Sequence, residues 1–449
     1  MLTAFLFVCL SIILTSCSSY DRTFSEISSR YADLAKDAEF SEKRGDGNGE
    51  TVIDFGKTVT LNRLVLREKT DSVNSFTLRL PSSPSPFYGN DYIGKYRYCT
   101  FPTVTTDKIV LSIRSSSSWS LDDAEAYYIP LSDMPFDVTA YITAKAAYSL
   151  PETADAPADT FNLFYSVYLD KNGDIRLPDY FIDGSRIEGE TVLSTGISNI
   201  RAAYPKAKIV ATVLGDKEFD GDGLTLQQRY SSAFGNGDRL SSSLLSLVDT
   251  YGLDGISFDY EYPVSEKDYS LFADFCTSFR KKLPREKLLS SAVSAWCIDD
   301  QRMSVSSLAC FDRVILMAYD SPDKNGCHST FYTVYSQLRR LKEKGLPLHK
   351  IQLGLPLYSK PVDGSTHWIS YSDYADGLSI FSNSAYADCD GEQKLCYFNG
   401  RQLIADKTAL ALDLRMAGVA VWHYSLDSSD PALSLLHTIY RTVHPRSLK

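Results

Sequence analysis

From about Phe136 the chain keeps one rhythm: a short apolar run of strand length, a helix-length segment, then another strand. The strand-like runs are Val138–Ala144, Phe161–Tyr168, Lys208–Leu214, Gly255–Tyr260, Leu289–Ala295, Arg313–Ala318, Ile351–Leu355 and Gly418–Trp422. Helix-like stretches such as Asp268–Lys282 and Phe331–Lys344 lie between most of them. Parallel strands need long crossovers, and helices supply them. The alternation predicts an α/β fold, a (β/α)8 TIM barrel over 136–445, with its functional groups at the C-terminal ends of the strands.

The fourth of these runs carries the chemistry. In Gly255 to Glu261 side chains alternate, so Gly255, Ser257, Asp259 and Glu261 share one face and Ile256, Phe258 and Tyr260 the other. The apolar set suits the surrounding helices. The inner face then carries two carboxylates at the upper end of the strand. Two adjacent carboxyls in a partly closed site resist double ionisation, so one pKa is pushed up. A carboxylic acid that stays neutral near pH 7 is what protonation of a glycosidic oxygen requires.

The full run Leu253 to Pro263 resembles the D-G-x-D-x-D-x-E signature of family 18 glycoside hydrolases, the chitinase-like barrels. Leu316-Met317-Ala318-Tyr319-Asp320 resembles the M-x-Y-D end of that family's sixth strand. Leu353 to Tyr358 is similar to its seventh-strand G-x-P-x-Y, and Val419 to Trp422 to its eighth strand. Tyr397 to Gly400 resembles the Y-x-N-G segment between them, and Phe164 to Ile175 the second strand and its exit. The resemblance implies a retaining, substrate-assisted glycosidase. Glu261 is then the proton donor, Asp259 the orienter of the substrate acetamide, and Tyr319 a donor to its carbonyl. Asp320, Met317, Tyr358 and Ser257 fall among the substrate-binding positions, with Trp422 under the sugar ring. The implied partner is an N-acetylglucosamine-containing glycan, as in chitin oligomers or N-glycan cores. The alternative is a non-catalytic, lectin-like glycan-binding lipoprotein. Two positions depart from the pattern. Ser257 stands where many members carry aspartate, which implies a shifted pH profile, and Thr212 stands near a usual serine. Trp368 reads equally as a further sugar platform or a surface residue.

Residues 49–131 break into short β-like runs with turn signals and no helical stretch, which predicts a small all-β sandwich. Ile53 to Lys57, Leu61 to Leu66, Phe101 to Lys108 and Asp122 to Tyr127 resemble a discoidin-type, galactose-binding-like module. Glycan binding and mere packing against the barrel both fit it. Residues 17–48 are polar and read as a tether. Leu2 to Thr15 is apolar but too short for a span of ~20 residues, and reads as a signal peptide over 1–16. Ser16-Cys17 resembles a bacterial lipobox, although no Lys or Arg precedes the apolar run. It implies lipidation at Cys17 and an exported protein anchored to a bacterial membrane, facing the periplasm or on the cell surface.

Net charge is −10, which argues against nucleic acid as a partner. Cys389 and Cys396, flanking an acidic turn, are the best-placed pair for a disulfide, and export permits one. The cysteine spacings and scattered histidines give no metal site, and no cofactor is implied. A monomer is expected.

Overall fold

The computed structural model describes residues 22–131, 134–170, 172–214, 223–300 and 303–445. The signal-like run and Cys17 lie outside them. No helix among the described residues is long and apolar enough to cross a membrane.

The first eight strands form the N-terminal module: β1 (Glu39–Phe40), β2 (Arg44–Asp46), β3 (Gly49–Leu66), β4 (Val73–Arg79), β5 (Tyr88–Asp91), β6 (Arg97–Ser115), β7 (Ser118–Ser120) and β8 (Glu125–Tyr127). All pairings are antiparallel, in the order β1-β3-β6-β4-β5, with β8 against the far end of β3 and β2 against β7. Two expected short runs, 51–55 and 61–66, are one long strand. Gly56, at φ +66°, sits in a register shift of the β3–β6 ladder, so the apparent turn signal is absorbed as an irregularity. The sheet bends over a single core of Ile53, Leu61, Leu64, Phe76, Tyr88, Cys99 and Leu111.

The stretch 22–48 is not a tether where it is described. Phe24 and Ile27 are fully buried, and the Phe24 ring lies edge-on to Tyr335 at 5.4 Å, on the Phe331–Glu343 helix. Further along, β1 and β2 pair as edge strands. Backbone pairing does not depend on side-chain polarity, so a charged segment is a poor guide to its absence.

The barrel follows. β9 (Asp137–Thr143) pairs β10 (Thr160–Leu169). After three short strands, β11 (Ile175–Arg176), β12 (Tyr180–Ile182) and β13 (Ser185–Ile187), come β14 (Lys208–Leu214), β15 (Gly255–Phe258), β16 (Leu288–Val293), β17 (Arg313–Leu316) and β18 (Ile351–Pro356). A four-stranded insertion of β19 (Tyr358–Pro361), β20 (Ile369–Ser370), β21 (Ser384–Cys389) and β22 (Glu392–Tyr397) precedes β23 (Gly418–Trp422). β23 pairs both β18 and β9 in parallel, which closes eight parallel strands into a ring. The expected strands match within two residues at each end. The seven described cysteines are all free, Cys389 and Cys396 included. The two nonetheless pack in one small buried cluster with Ala387.

The bottom of the barrel is plugged by polar side chains. Gln352 donates to Asp137 at 2.9 Å and to Thr139 at 2.8 Å, and Thr160 donates to Asp137 at 3.0 Å. Only the upper end is left to form a cleft.

One helix joins barrel and module. Arg401–Asp413 is buried on every side except at Arg401 and Ala405. A helix with a single apolar stripe cannot do that. Its Asp406 accepts from the Tyr88 hydroxyl at 2.7 Å, Asn90 at 3.0 Å, the Thr100 amide at 2.8 Å and Arg97 at 3.3 Å, all on the module. Asp413 accepts from Arg63 and Tyr98, both at 2.8 Å. Burial raises the Asp406 carboxyl to about 6, against the pull of Arg97. Replacing Asp406 by alanine strands a buried guanidinium and is expected to cost about 3–5 kcal/mol. Urea denaturation of the intact protein measures it. A loss no larger than that of an ordinary surface substitution, about 0.5 kcal/mol, contradicts the clamp.

Candidate active site

The β15 ladder stops at Phe258, three residues short of Glu261. The Asp259 amide still donates to the Val213 carbonyl at 3.1 Å, so the chain stays extended beyond the strand. Alternation therefore continues. Phe258 and Tyr260 pack outward against Phe272 of the Glu266–Lys282 helix, with ring centroids 5.8 Å apart in both cases. Asp259 and Glu261 point inward. Tyr230 stacks on Tyr260 at 4.0 Å, and its hydroxyl reaches the carbonyls of Val213 and Asp259. That clamp holds the acid-bearing segment at its unpaired end.

Two glycines let neighbouring strands close in. A Cβ at Gly255 would stand 2.3 Å from the Leu288 carbonyl oxygen. One at Gly354 would stand 2.4 Å from the Leu316 carbonyl oxygen and 3.0 Å from the Tyr319 ring. Tyr319 lies in the space that Gly354 leaves.

The side chains meet in a pocket of about 510 Å3 at the open end of the barrel. Asp259, Glu261, Met317, Tyr319, Asp320, Tyr358 and Trp422 all line it. Ser257 does not. It is fully buried one level below, directly opposite Thr212 on β14 and Ser290 on β16. The reason is depth along the strand: two residues of strand rise separate it from Asp259 on the same face, so its short hydroxyl lies in the floor without reaching the cleft. Tyr141, buried beside Asn162 and Ser257 in this layer, has its hydroxyl pKa raised first by burial and then by the charge of Asp259.

The two carboxyls differ in setting. Asp259 is buried, and Glu261 reaches the pocket mouth. Burial, and after it the charge of Glu261, holds the Asp259 carboxyl well above the usual carboxylate range. Glu261 is also raised, first by burial; hydrogen bonds from Tyr262 and Asp259 oppose the rise and the charge of Asp320 adds to it. Such a pair titrates as a unit and retains one proton between two carboxyls.

Around it stands an aromatic wall. Trp422 meets Phe164 edge-on at 4.5 Å and Tyr141 at 5.4 Å. This fixes its indole as an apolar platform beside the acids. Asp320 accepts from Tyr358 at 2.6 Å and pairs with Lys360 at 2.7 Å. His328 stacks on Tyr358 at 5.3 Å, and burial lowers its pKa to about 4, so Lys360 is the cation facing Asp320. Trp368 is half exposed and sits edge-on to Tyr358 at 5.4 Å, against the rim of the pocket and outside its lining.

Sequence reasoning missed Tyr141, Phe164, Tyr165, Tyr262 and Ser294 in the lining, and Lys360 behind it. Tyr262 follows Glu261 directly, and Tyr141 has inward parity on β9, so both had a signal. Lys360 is placed by the β19 strand of the insertion and had none. Among the described residues no group of three His, Cys, Asp or Glu gathers to hold a metal ion.

A family model described as glycosyl hydrolases family 18 matches residues 137–427, more than half of the chain. A probable endochitinase of Caenorhabditis elegans is 29% identical over 144 residues, covering 26% of this chain and 23% of that protein. The chain thus spans about a quarter of that relative's length. Among solved structures, a GH18 chitinase ChiB from Flavobacterium johnsoniae aligns with TM-score 0.54 and 20% identity, over 69% of this chain and 94% of that one. A chitinase from Bacteroides thetaiotaomicron aligns with TM-score 0.55 and 19% identity, over 70% and 99%. A chitinase-like agglutinin from Robinia pseudoacacia aligns with TM-score 0.53 and 20% identity, over 68% and 99%. At these identities the structures show a shared fold.

Two measurements test the shared proton. In Glu261→Gln the neighbouring negative charge is gone, so Asp259 is expected to titrate at lower pH than in the wild type, read by carboxyl 13C NMR. A carboxyl raised on folding holds its proton longer in the folded chain than in the unfolded one. Stability is therefore lost as pH climbs from the ordinary carboxylate range, ~4, through the raised value. Asp259→Asn removes that loss. Its thermal midpoint at pH 7 is expected to exceed that of the wild type, with a smaller difference at pH 4.

Proposed function

Because the chain belongs to family 18 of the glycosyl hydrolases, we propose that it is a retaining, substrate-assisted glycosidase acting on β-linked N-acetylglucosamine-containing glycans, with Glu261 as its acid/base. The observation that carries this is the placement of the Asp259 and Glu261 carboxyls in one pocket beside the Trp422 platform, where burial raises both.

Each residue's role follows from where it stands. Glu261, at the mouth, protonates the leaving oxygen. The substrate's own acetamide carbonyl attacks the anomeric carbon, so no second carboxylate need act as nucleophile. Asp259, deeper and adjacent, accepts from the acetamide N–H and stabilises the positive charge that develops there. The Tyr319 hydroxyl donates to the acetamide carbonyl oxygen; burial keeps that hydroxyl protonated. Trp422 stacks beneath the ring and orients it. Glu261 then takes a proton from the incoming water. Two displacements at one carbon give net retention.

The lectin-like alternative is less well supported. A binding protein has no use for two carboxyls held against double ionisation, an arrangement that suits proton transfer. We also propose that the protein is exported and lipid-anchored through Cys17. Phe24 is already packed on the barrel, so few residues separate an anchor there from the folded body. Such a leash spans at most ~3.5 Å per residue, which keeps the enzyme against its membrane.

The test is turnover of chromogenic N-acetylglucosamine oligomers and of a high-mannose glycoprotein. Wild type is expected to cleave at least one, releasing the β-anomer first by 1H NMR, and to leave equivalent oligomers lacking the 2-acetamido group intact. Glu261→Gln is expected to lower kcat by about 10²–10⁴-fold, the usual worth of a general acid. Cleavage of neither substrate by wild type, or equal rates in the mutant, defeats the proposal.

A further inference from the structure

A second cleft, of about 600 Å3, lies where the module meets the barrel insertion. None of its lining residues lines the active-site pocket. Its floor is the outer face of β4, β5 and β6. Ladder register sets two rows of side chains across that face: Gly89, Thr77 and Ser112 in one, Asp91, Ser75 and Arg114 in the other. Its wall is the barrel segment 379–384.

The wall is fixed rigidly to the floor. A Cβ at Gly89 would stand 2.9 Å from the Phe381 ring, so the missing side chain lets that aromatic lie against the sheet. Asn383 donates to Asn90 at 2.6 Å and accepts from the Gly400 amide at 2.9 Å. A cleft formed in advance spares a ligand the ordering cost of shaping it.

Its chemistry is distinctive. The hydroxyls of Ser75, Thr77, Ser382 and Ser384 make no side-chain hydrogen bond among the described residues, and neither does the Arg114 guanidinium. The other charges on this face are occupied. Glu50 takes Arg79 at 3.1 Å and Ser112 at 2.6 Å. Asp91 accepts from Tyr397 at 2.5 Å and faces Arg97 at 3.6 Å. The cleft therefore offers a row of hydroxyls, an aromatic ring and one uncommitted guanidinium. Hydroxyls in series match the ring hydroxyls of a saccharide, and a guanidinium matches a carboxylate in two-pronged fashion.

We infer that this cleft is a second carbohydrate site, taking an acidic saccharide whose carboxylate pairs with Arg114 and whose ring lies against Phe381 over Ser75 and Thr77. The inference stands apart from the reaction in the barrel. The carboxylate comes from a sialic or a uronic acid, and the probes separate these sources.

Calorimetric titration of the full chain uses 3′-sialyllactose and digalacturonate, with lactose as the neutral control. One acidic probe or both are expected to bind at one site per chain, at least tenfold more tightly than lactose; the probe that binds names the acid. Arg114→Ala and Thr77→Trp, which fills the cleft, are each expected to weaken binding at least tenfold, while Glu261→Gln leaves it unchanged. Circular dichroism and thermal midpoints of the variants confirm that they fold. The proposal fails if neither acid binds or if lactose binds equally well. It fails too if the folded cleft variants bind as the wild type does, or if Glu261→Gln abolishes binding, which places the sugar in the barrel.

Discussion

Much of this structure depends on how the Arg401–Asp413 helix is satisfied. Buried carboxylates are tolerated only when every lone pair finds a partner. Asp406 and Asp413 find theirs on the other body, in Arg97, Tyr88, Asn90, Thr100, Arg63 and Tyr98. Between them, Lys407 is fully buried and turns the other way, toward Ser329 and Asn399. Burial, aided by the Arg97 charge, pushes its pKa well below the ordinary lysine range. Ser329 in turn donates to the Ala318 carbonyl at 2.7 Å, one residue before Tyr319. A continuous set of bonds thus runs from the module, through the helix, to the strand exit that carries Tyr319 and Asp320.

This arrangement gives the N-terminal module a structural duty whatever it binds. The helix could not stay buried without it, and β23, which ends in Trp422, follows that helix directly. Tyr88, Asn90 and Arg97 meet the Arg401–Asp413 helix, while the outer face of β4, β5 and β6 meets the insertion along the seam cleft.

Within the barrel, the polar plug at the bottom and the aromatic wall at the top divide labour between stability and chemistry. With the neutral Ser257 two residues before it, Asp259 has Glu261 as the carboxyl whose charge raises it. Thr212, opposite Ser257, fills the adjoining position on β14 with a second hydroxyl. The inner layer is thus neutral and polar beneath a single coupled pair, which concentrates the titration of the site in two residues.

The eight-strand rhythm and the inward parity of Asp259 and Glu261 were legible from local pattern, while Met317, Tyr319, Asp320, Tyr358 and Trp422 came from the resemblance of their strand ends to family 18. Period-two alternation and strand ends are properties of neighbouring residues, and the sequence by itself determines them. The packed course of 22–48 was not legible, because edge strands form from backbone groups that composition does not reveal. Lys360 escaped notice because only the insertion's path brings it to Asp320, and Ser257 was misplaced because a strand's face is readable but a side chain's depth is not. The partners of Asp406 and Asp413, more than 300 residues away in the chain, and the cleft between Gly89 and Phe381 were decided by the tertiary structure alone. Local order follows from adjacent residues; burial, charge satisfaction and cavities arise only when distant segments close on one another.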